Sequence, residues 1–241
     1  MTQQIQRVVW ITGAGSGLGR ALALKFVARG DFVVLSGRNE GELRTVETDI
    51  RKQGGQTEVI LCDVRSEPSV TTAVQMLTSI NRFPDILVNN AGITVFKTFL
   101  DTAVQEFDDI VQTNLKGPFL TTKSVLPTML HRGNGLIINV ISYAAKTTYT
   151  ESSVYAASKA GVAALMEGLR AEVRSEGIKI VNVFPGAVLT PIWHPKVRSK
   201  YGEKMMSVES AARAIVDLTD QPSDVMIEEI VLRPQSGDIT A

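Results

Sequence analysis

Cysteine is almost missing from this chain: Cys62 stands alone among 241 residues. It has no disulfide partner within the chain, and its apolar neighbours Val59, Ile60 and Leu61 read it as a buried core thiol rather than a reactive one. Histidine is scarce as well. Two histidines and one cysteine argue against a conventional zinc site, so no metal is expected. Net charge is absent, since 25 Lys and Arg balance 25 Asp and Glu. Nothing in the bulk electrostatics draws the chain to nucleic acid or anionic lipid. No apolar run approaches the roughly 20 residues needed to cross a bilayer. The polar start, Met1 to Arg7, runs straight into a strand and shows no signal-peptide pattern. The expected location is the cytoplasm. What remains is ordinary globular usage, with 44% hydrophobic and 21% charged residues, in a chain long enough to bury a full core unaided.

Short apolar blocks alternate with longer amphipathic stretches throughout. The expected strands are Val8–Thr12, Phe32–Ser36, Glu58–Cys62, Ile86–Asn89, Leu136–Ile141, Lys179–Phe184 and Glu229–Leu232. Each is rich in β-branched residues and bounded by turn or charged residues, as buried parallel strands should be. Between them, Asn39 and Ser66 are N-cap candidates, the latter with Pro68 in its first turn. Ser207 opens another helix, with Ala211, Ala214, Ile215 and Leu218 expected inward. Alternating strands and helices imply right-handed βαβ units. The expected fold is therefore a Rossmann-type, doubly wound α/β domain with a seven-stranded, mostly parallel sheet. No linker or repeat divides it, so residues 1–241 read as one domain. The stretch Pro185–Met206 is the most irregular, and 186–206 reads as a substrate loop.

The first strand runs into Thr12-Gly13-Ala14-Gly15-Ser16-Gly17-Leu18-Gly19, followed by an Ala/Leu-rich helix to Ala28. A pyrophosphate must approach backbone closely, and a helix N-terminus offers free N–H groups and positive dipole. Tight turns also select glycine, so the order strand, glycines, helix carries the argument. The second strand ends Leu35-Ser36-Gly37-Arg38, with no carboxylate to hold a ribose 2′-hydroxyl and a guanidinium that suits a 2′-phosphate. The expected cofactor is NADP in preference to NAD. Ser36 and Asn39 would serve either if Arg38 only lies on a solvated helix start.

Tyr155 and Lys159 stand four apart at the head of a helix, on one face. A phenol titrates near 10, and a neighbouring ammonium lowers that value. Alone, such a pair also fits a solvated helix face. Its company is more specific: Ser142 ends the fifth strand, Asn89-Asn90-Ala91-Gly92 ends the fourth, and Asn114 lies in the helix between them. With Asp63-Val64 and Pro185-Gly186 followed by Thr190, nearly the whole chain resembles the short-chain dehydrogenase/reductase family.

That resemblance implies Tyr155 as acid/base, Lys159 as its partner on the nicotinamide ribose, Ser142 on the substrate oxygen and Asn114 in a proton relay. It implies a cofactor-binding set of Gly13, Gly15, Ser16, Gly17, Leu18, Gly19, Arg38, Asp63, Val64, Asn90, Ala91, Gly92, Tyr155, Lys159, Pro185, Gly186, Val188 and Thr190. Two departures stand out. Tyr143 occupies a position where many relatives carry a small residue. Ser16 stands where many NADP-preferring relatives carry a basic one. Phe96, Tyr143, Thr147, Tyr149, Val188, Ile192, Trp193 and His194 surround the expected pocket, whose apolar and aromatic wall suits a small carbonyl or alcohol. His194 reads as a surface residue. Phe119, Leu120, Val162, Leu165 and Met166 give the helices of 107–130 and 154–173 more than one apolar face, so a homodimer or homotetramer is expected. A vestigial nucleotide-binding sensor is the competing reading; it would not need the Ser142, Tyr155, Lys159 and Asn114 set. A sugar-nucleotide epimerase would need a larger C-terminal domain than the chain after Pro185 supplies.

Overall fold

Strands β1 (Val8–Thr12), β2 (Phe32–Gly37), β3 (Thr57–Leu61), β4 (Ile86–Asn89), β5 (Gly135–Val140), β6 (Ile178–Pro185) and β7 (Glu229–Leu232) form one sheet in the order β3-β2-β1-β4-β5-β6-β7. The computed structural model describes residues 6–222 and 224–239. Residues 1–5, which make up most of the polar N-terminal stretch read above, lie outside the described residues, as do 223, 240 and 241. Every strand pairing is parallel, so the sheet expected to be mostly parallel is wholly so.

Side chains alternate across the sheet with period two. Val9, Ile11, Val33 and Leu35 enter one apolar layer, while Val8, Trp10, Phe32 and Val34 enter the other. Helices α1 (Gly17–Val27), α2 (Glu40–Lys52) and α8 (Val208–Asp217) cover the first layer. Helices α3 (Glu67–Ser79), α5 (Gly117–Arg132) and α6 (Ser153–Val173) cover the second. The three expected caps form: Asn39, Ser66 and Ser207 each accept a backbone N–H three residues on, each worth about 1 kcal/mol. Trp10 is fully buried; its Nε1–H donates to Ser36 Oγ at 2.8 Å, and that hydroxyl donates to Ile60 O.

Several boundaries and faces differ from the sequence reading. Strands β2, β3, β5 and β6 are shifted or lengthened by a residue or so, which leaves Cys62 just past β3, where burial pushes its thiol up to about 11. The single helix read over 107–130 is α4 (Val104–Val111), a π-helical turn at Gln112–Lys116, and α5. In α8 the inward residues are Ala211, Ala212, Ile215 and Val216, forming two rows four apart, with Leu218 buried just past the helix as expected and Ala214 only half-buried. The irregular stretch after β6 contains a short helix, α7 (Pro195–Tyr201).

A polar ladder crosses the core unannounced. Asn89, Asn139 and Asn182 stand in register on β4, β5 and β6, all at most 4% exposed. Asn89 Nδ2 donates to Asn139 Oδ1 at 2.9 Å and Asn139 Nδ2 to Asn182 Oδ1 at 3.1 Å. Thr121 Oγ1 donates to Asn89 Oδ1, and Asn182 Nδ2 reaches Ala163 O on α6. Buried amides must find partners, so the ladder fixes the mutual height of three strands and α6.

Candidate active site

All strands are parallel, so their carboxyl ends share one edge. The order reverses beside β1, whose neighbours are β2 and β4, and ligands of open α/β sheets bind there. Gly13 and Gly17 hold φ of +65° and +51°, and a Cβ on Gly19 would stand 2.1 Å from Gly13 O. Only glycine fits these positions. Asn90 Nδ2 donates to both Thr12 O and Gly13 O at 3.0 Å, and Thr12 Oγ1 accepts the Asn90 and Ala91 N–H groups. The Asn90 amide thus holds the glycine turn. Ser16 caps α1 without a side-chain hydrogen bond, which leaves the first N–H groups of that helix for a phosphate.

Two cavities meet over this turn, sharing Gly13, Ser16, Ala91, Gly92 and Ile93. One, of about 850 Å³, continues past Gly15, Arg38, Asp63 and Val64. The other, of about 1000 Å³, takes in Leu18, Gly19 and Asn90, then passes Ser142, Tyr155 and Lys159 to Pro185, Gly186, Val188 and Thr190. The residues named in the sequence as a cofactor set therefore border one continuous trough.

At the first end, Arg38 is exposed and takes part in no ion pair among the described residues, whereas Arg20 pairs with Asp49 and Arg44 with Glu40 and Glu47. Hydrogen bonds from Arg65 hold the Asp63 carboxyl below its usual range. One carboxylate was missed. Glu42 Oε2 lies 3.0 Å from where a Cβ on Gly15 would be. Its signal was the position three past the Asn39 cap, where acids favour a helix start.

At the other end, Ser142 follows β5, and α6 sets Tyr155 and Lys159 one turn apart. Lys159 is 5% exposed; its Nζ donates to Val140 O at 2.8 Å and stands 6.0 Å from the Tyr155 ring centroid. Burial pushes the Lys159 ammonium down to about 8. Burial also pushes the Tyr155 phenol above its usual range, with the Ser142 hydroxyl working against it. The Lys159 ammonium is directed at a carbonyl of β5, and the group that lowers Tyr155 here is the Ser142 hydroxyl.

Asn114 is fully buried on the π turn and borders neither cavity. Its Oδ1 accepts the Ile93 N–H at 2.8 Å, and its Nδ2 donates to Ile93 O and to Ser158 Oγ at 3.1 Å. Ser158 in turn donates to Tyr155 O. The carboxamide ties the segment after Gly92 to the helix that carries Tyr155. Ser158 was not singled out from the sequence, although a polar residue on the buried side of Lys159 was a signal.

The substrate side is built from loops. Phe96 and Trp193 stack with centroids 5.2 Å apart and planes within 8°, and Trp193 Nε1 donates to Val188 O. Tyr143, Thr147, Tyr149 and Ile192 border the same cavity. The C-terminal tail adds Asp238 and Ile239, which periodicity could not place. Arg233 lies 4.4 Å over the Tyr143 ring and pairs with Asp238 at 2.7 Å. Burial, followed by a hydrogen bond to Asp238, pushes the Tyr149 phenol up to about 12. His194 is exposed and caps α7 through Nδ1, the surface position expected of it. Among the described residues there is no grouping of His, Cys, Asp and Glu fit for a metal, and no helix long and apolar enough to cross a membrane.

The sequence model for short chain dehydrogenase matches residues 7–201. The chain is 36% identical over 242 residues to a sepiapterin reductase of Chlorobaculum tepidum, covering 98% of this chain and 99% of that one. A metagenomic short-chain oxidoreductase solved with NADP superposes with a TM-score of 0.84 at 29% identity, covering 95% and 97% of the two chains. A single-substitution variant of actinorhodin polyketide ketoreductase, solved with NADPH, gives 0.89 at 30% identity, covering 99% and 100%. The chain belongs to the short-chain dehydrogenase family and is an oxidoreductase of CH–OH and C=O groups that works with a nicotinamide dinucleotide.

Proposed function

We propose that the protein is an NADP(H)-dependent carbonyl reductase or alcohol dehydrogenase in which Tyr155 carries the proton. The carrying observation is convergence: the Ser142 hydroxyl, the Tyr155 phenol and the Lys159 ammonium border one cavity that continues from the glycine turn. The site fits the cofactor, because added Cβ atoms would collide across the turn and the α1 N-terminus is uncapped by side chains. When bound, a nicotinamide dinucleotide would supply or accept the hydride. Ser142 and Tyr155 donate to the substrate oxygen as negative charge builds there, which stabilises the transition state over the ground state. Tyr155 then gives up its proton in reduction or takes one in oxidation. Bringing a phenol from near 10 to near 7 takes about 4 kcal/mol. Burial in the protein works against this and the Ser142 hydroxyl works for it. Asn114 acts as a positioning residue between Ile93 and α6.

For the substrate, the stacked Phe96 and Trp193 rings suit a flat conjugated compound packed against them. The sepiapterin named by the relative, a pteridine bearing a ketone, heads the panel. NADP is preferred because Arg38, at the adenosine end, has no ion-pair partner among the described residues. Arg38→Asp should therefore weaken NADPH binding by roughly tenfold or more and leave NADH the better ligand; an unchanged preference refutes this. The catalytic unit spans the chain with 186–206 as its substrate loop, works in the cytoplasm, and associates through outward Phe119 and Leu165, 43% and 37% exposed. Nicotinamide absorbance followed over sepiapterin, ketones, aldehydes and alcohols tests the function. Turnover supports it; inertness toward the whole panel, with NADPH bound, favours a vestigial binding protein.

A further inference from the structure

A threonine inside a helix ordinarily hands its hydroxyl to a carbonyl one turn back. Thr45, Thr48, Thr78 and Thr121 all do so here, at 2.8 to 3.0 Å. Thr113 does not. It is 5% exposed, and its Oγ1 is one of two buried side-chain polar atoms without a partner among the described residues. It sits on the π-helical turn at Gln112–Lys116. Such turns inside α-helices concentrate at functional sites. Thr113 also borders the cavity of Arg38, Asp63 and Val64, opposite the glycine turn.

A buried hydroxyl with no partner costs roughly what a lost hydrogen bond costs. Valine has the same shape without that cost, so a hydroxyl held here needs a partner that arrives from outside. The trough supplies the direction. We propose that Thr113 is a cofactor-binding residue whose hydroxyl hydrogen-bonds the adenosine half of the dinucleotide, at its ribose or its base. This rests on reading the trough as a dinucleotide site. The hydroxyl reaches the ligand by a step about Cα–Cβ between staggered rotamers, which exchanges it with the methyl. The π turn then has two tasks: Asn114 faces Ile93 and α6, and its neighbour serves the cofactor.

The test titrates NADPH, adenosine 2′,5′-bisphosphate and reduced nicotinamide mononucleotide into the wild type, Thr113→Val and Thr113→Ser, by calorimetry. Thr113→Val should weaken NADPH and the bisphosphate by about five- to tenfold, leave the mononucleotide unchanged, and melt at or above the wild-type temperature without ligand. Thr113→Ser should restore the affinity. Equal affinity of wild type and Thr113→Val for the bisphosphate overturns the proposal. So does a variant that melts lower and loses all three ligands alike, since that marks a structural role. A wild type that binds NADPH but not the bisphosphate also overturns it, whereas one that binds none of the three removes the cofactor reading along with it.

Discussion

The two ends of the trough are built differently. The first, at the carboxyl edges of β1, β2 and β4, hangs on a turn of backbone and glycines stitched by Asn90 and Thr12. The substrate end consists of side chains on three loops and the C-terminal tail, where Phe96, Trp193, Tyr149 and Asp238 meet across long sequence separations. The first is held by close backbone approach and tolerates almost no added atom. The second is held by aromatic contacts and ion pairs on half-exposed residues, which adapt at small cost. A site that keeps a nicotinamide dinucleotide and varies in substrate is expected to look like this.

That contrast breaks if the glycine turn proves tolerant. In Gly19→Ala the new methyl would stand 2.1 Å from Gly13 O and 2.5 Å from Asn90 Nδ2. The turn must open, and NADPH affinity should fall roughly ten- to a hundredfold. Ile192→Ala, on the substrate loop, should leave it within about twofold. Comparable losses in the two variants would erase the distinction.

Lys159 sharpens the comparison, since it lies where the rigid sheet meets the substrate side. Burial lowers it from 10.5 to about 8. Between those values the unfolded chain holds a proton that the folded protein has released, so stability rises with pH across that window. The gain should total about 3 kcal/mol and vanish in Lys159→Met. Urea unfolding of both proteins on either side of the window reads it directly; parallel profiles would contradict the burial of the ammonium. The smallest effect belongs to the tail. Asp238→Asn should bring the Tyr149 titration down from about 12 and raise KM by about two- to fivefold, with kcat nearly unchanged. A collapse of kcat would mean that the tail does more than line the pocket.

The same division explains what was legible in the sequence. The glycine turn, Ser142, Tyr155 and Lys159 announce themselves because strand ends and helical spacing fix where they point. The central strands were readable because both faces are buried, which demands continuous apolar blocks. The asparagine ladder was not readable, since Asn89, Asn139 and Asn182 find one another only after three strands align. Glu42 and Thr113 reach the trough through the start of α2 and the π turn, neither of which a periodic pattern reports. Arg233 and Asp238 pair beside Tyr143, about 90 residues earlier in the chain, and no local signal carries such a contact.

The central claim is that the Tyr155 phenol moves the proton. The direct measurement is single-turnover reduction of an accepted carbonyl by NADPH in wild type and Tyr155→Phe, with NADPH affinity measured alongside. The account predicts a rate lower by roughly 10²- to 10⁴-fold with affinity held within about threefold. A Tyr155→Phe protein that reduces the carbonyl at the wild-type rate would contradict it.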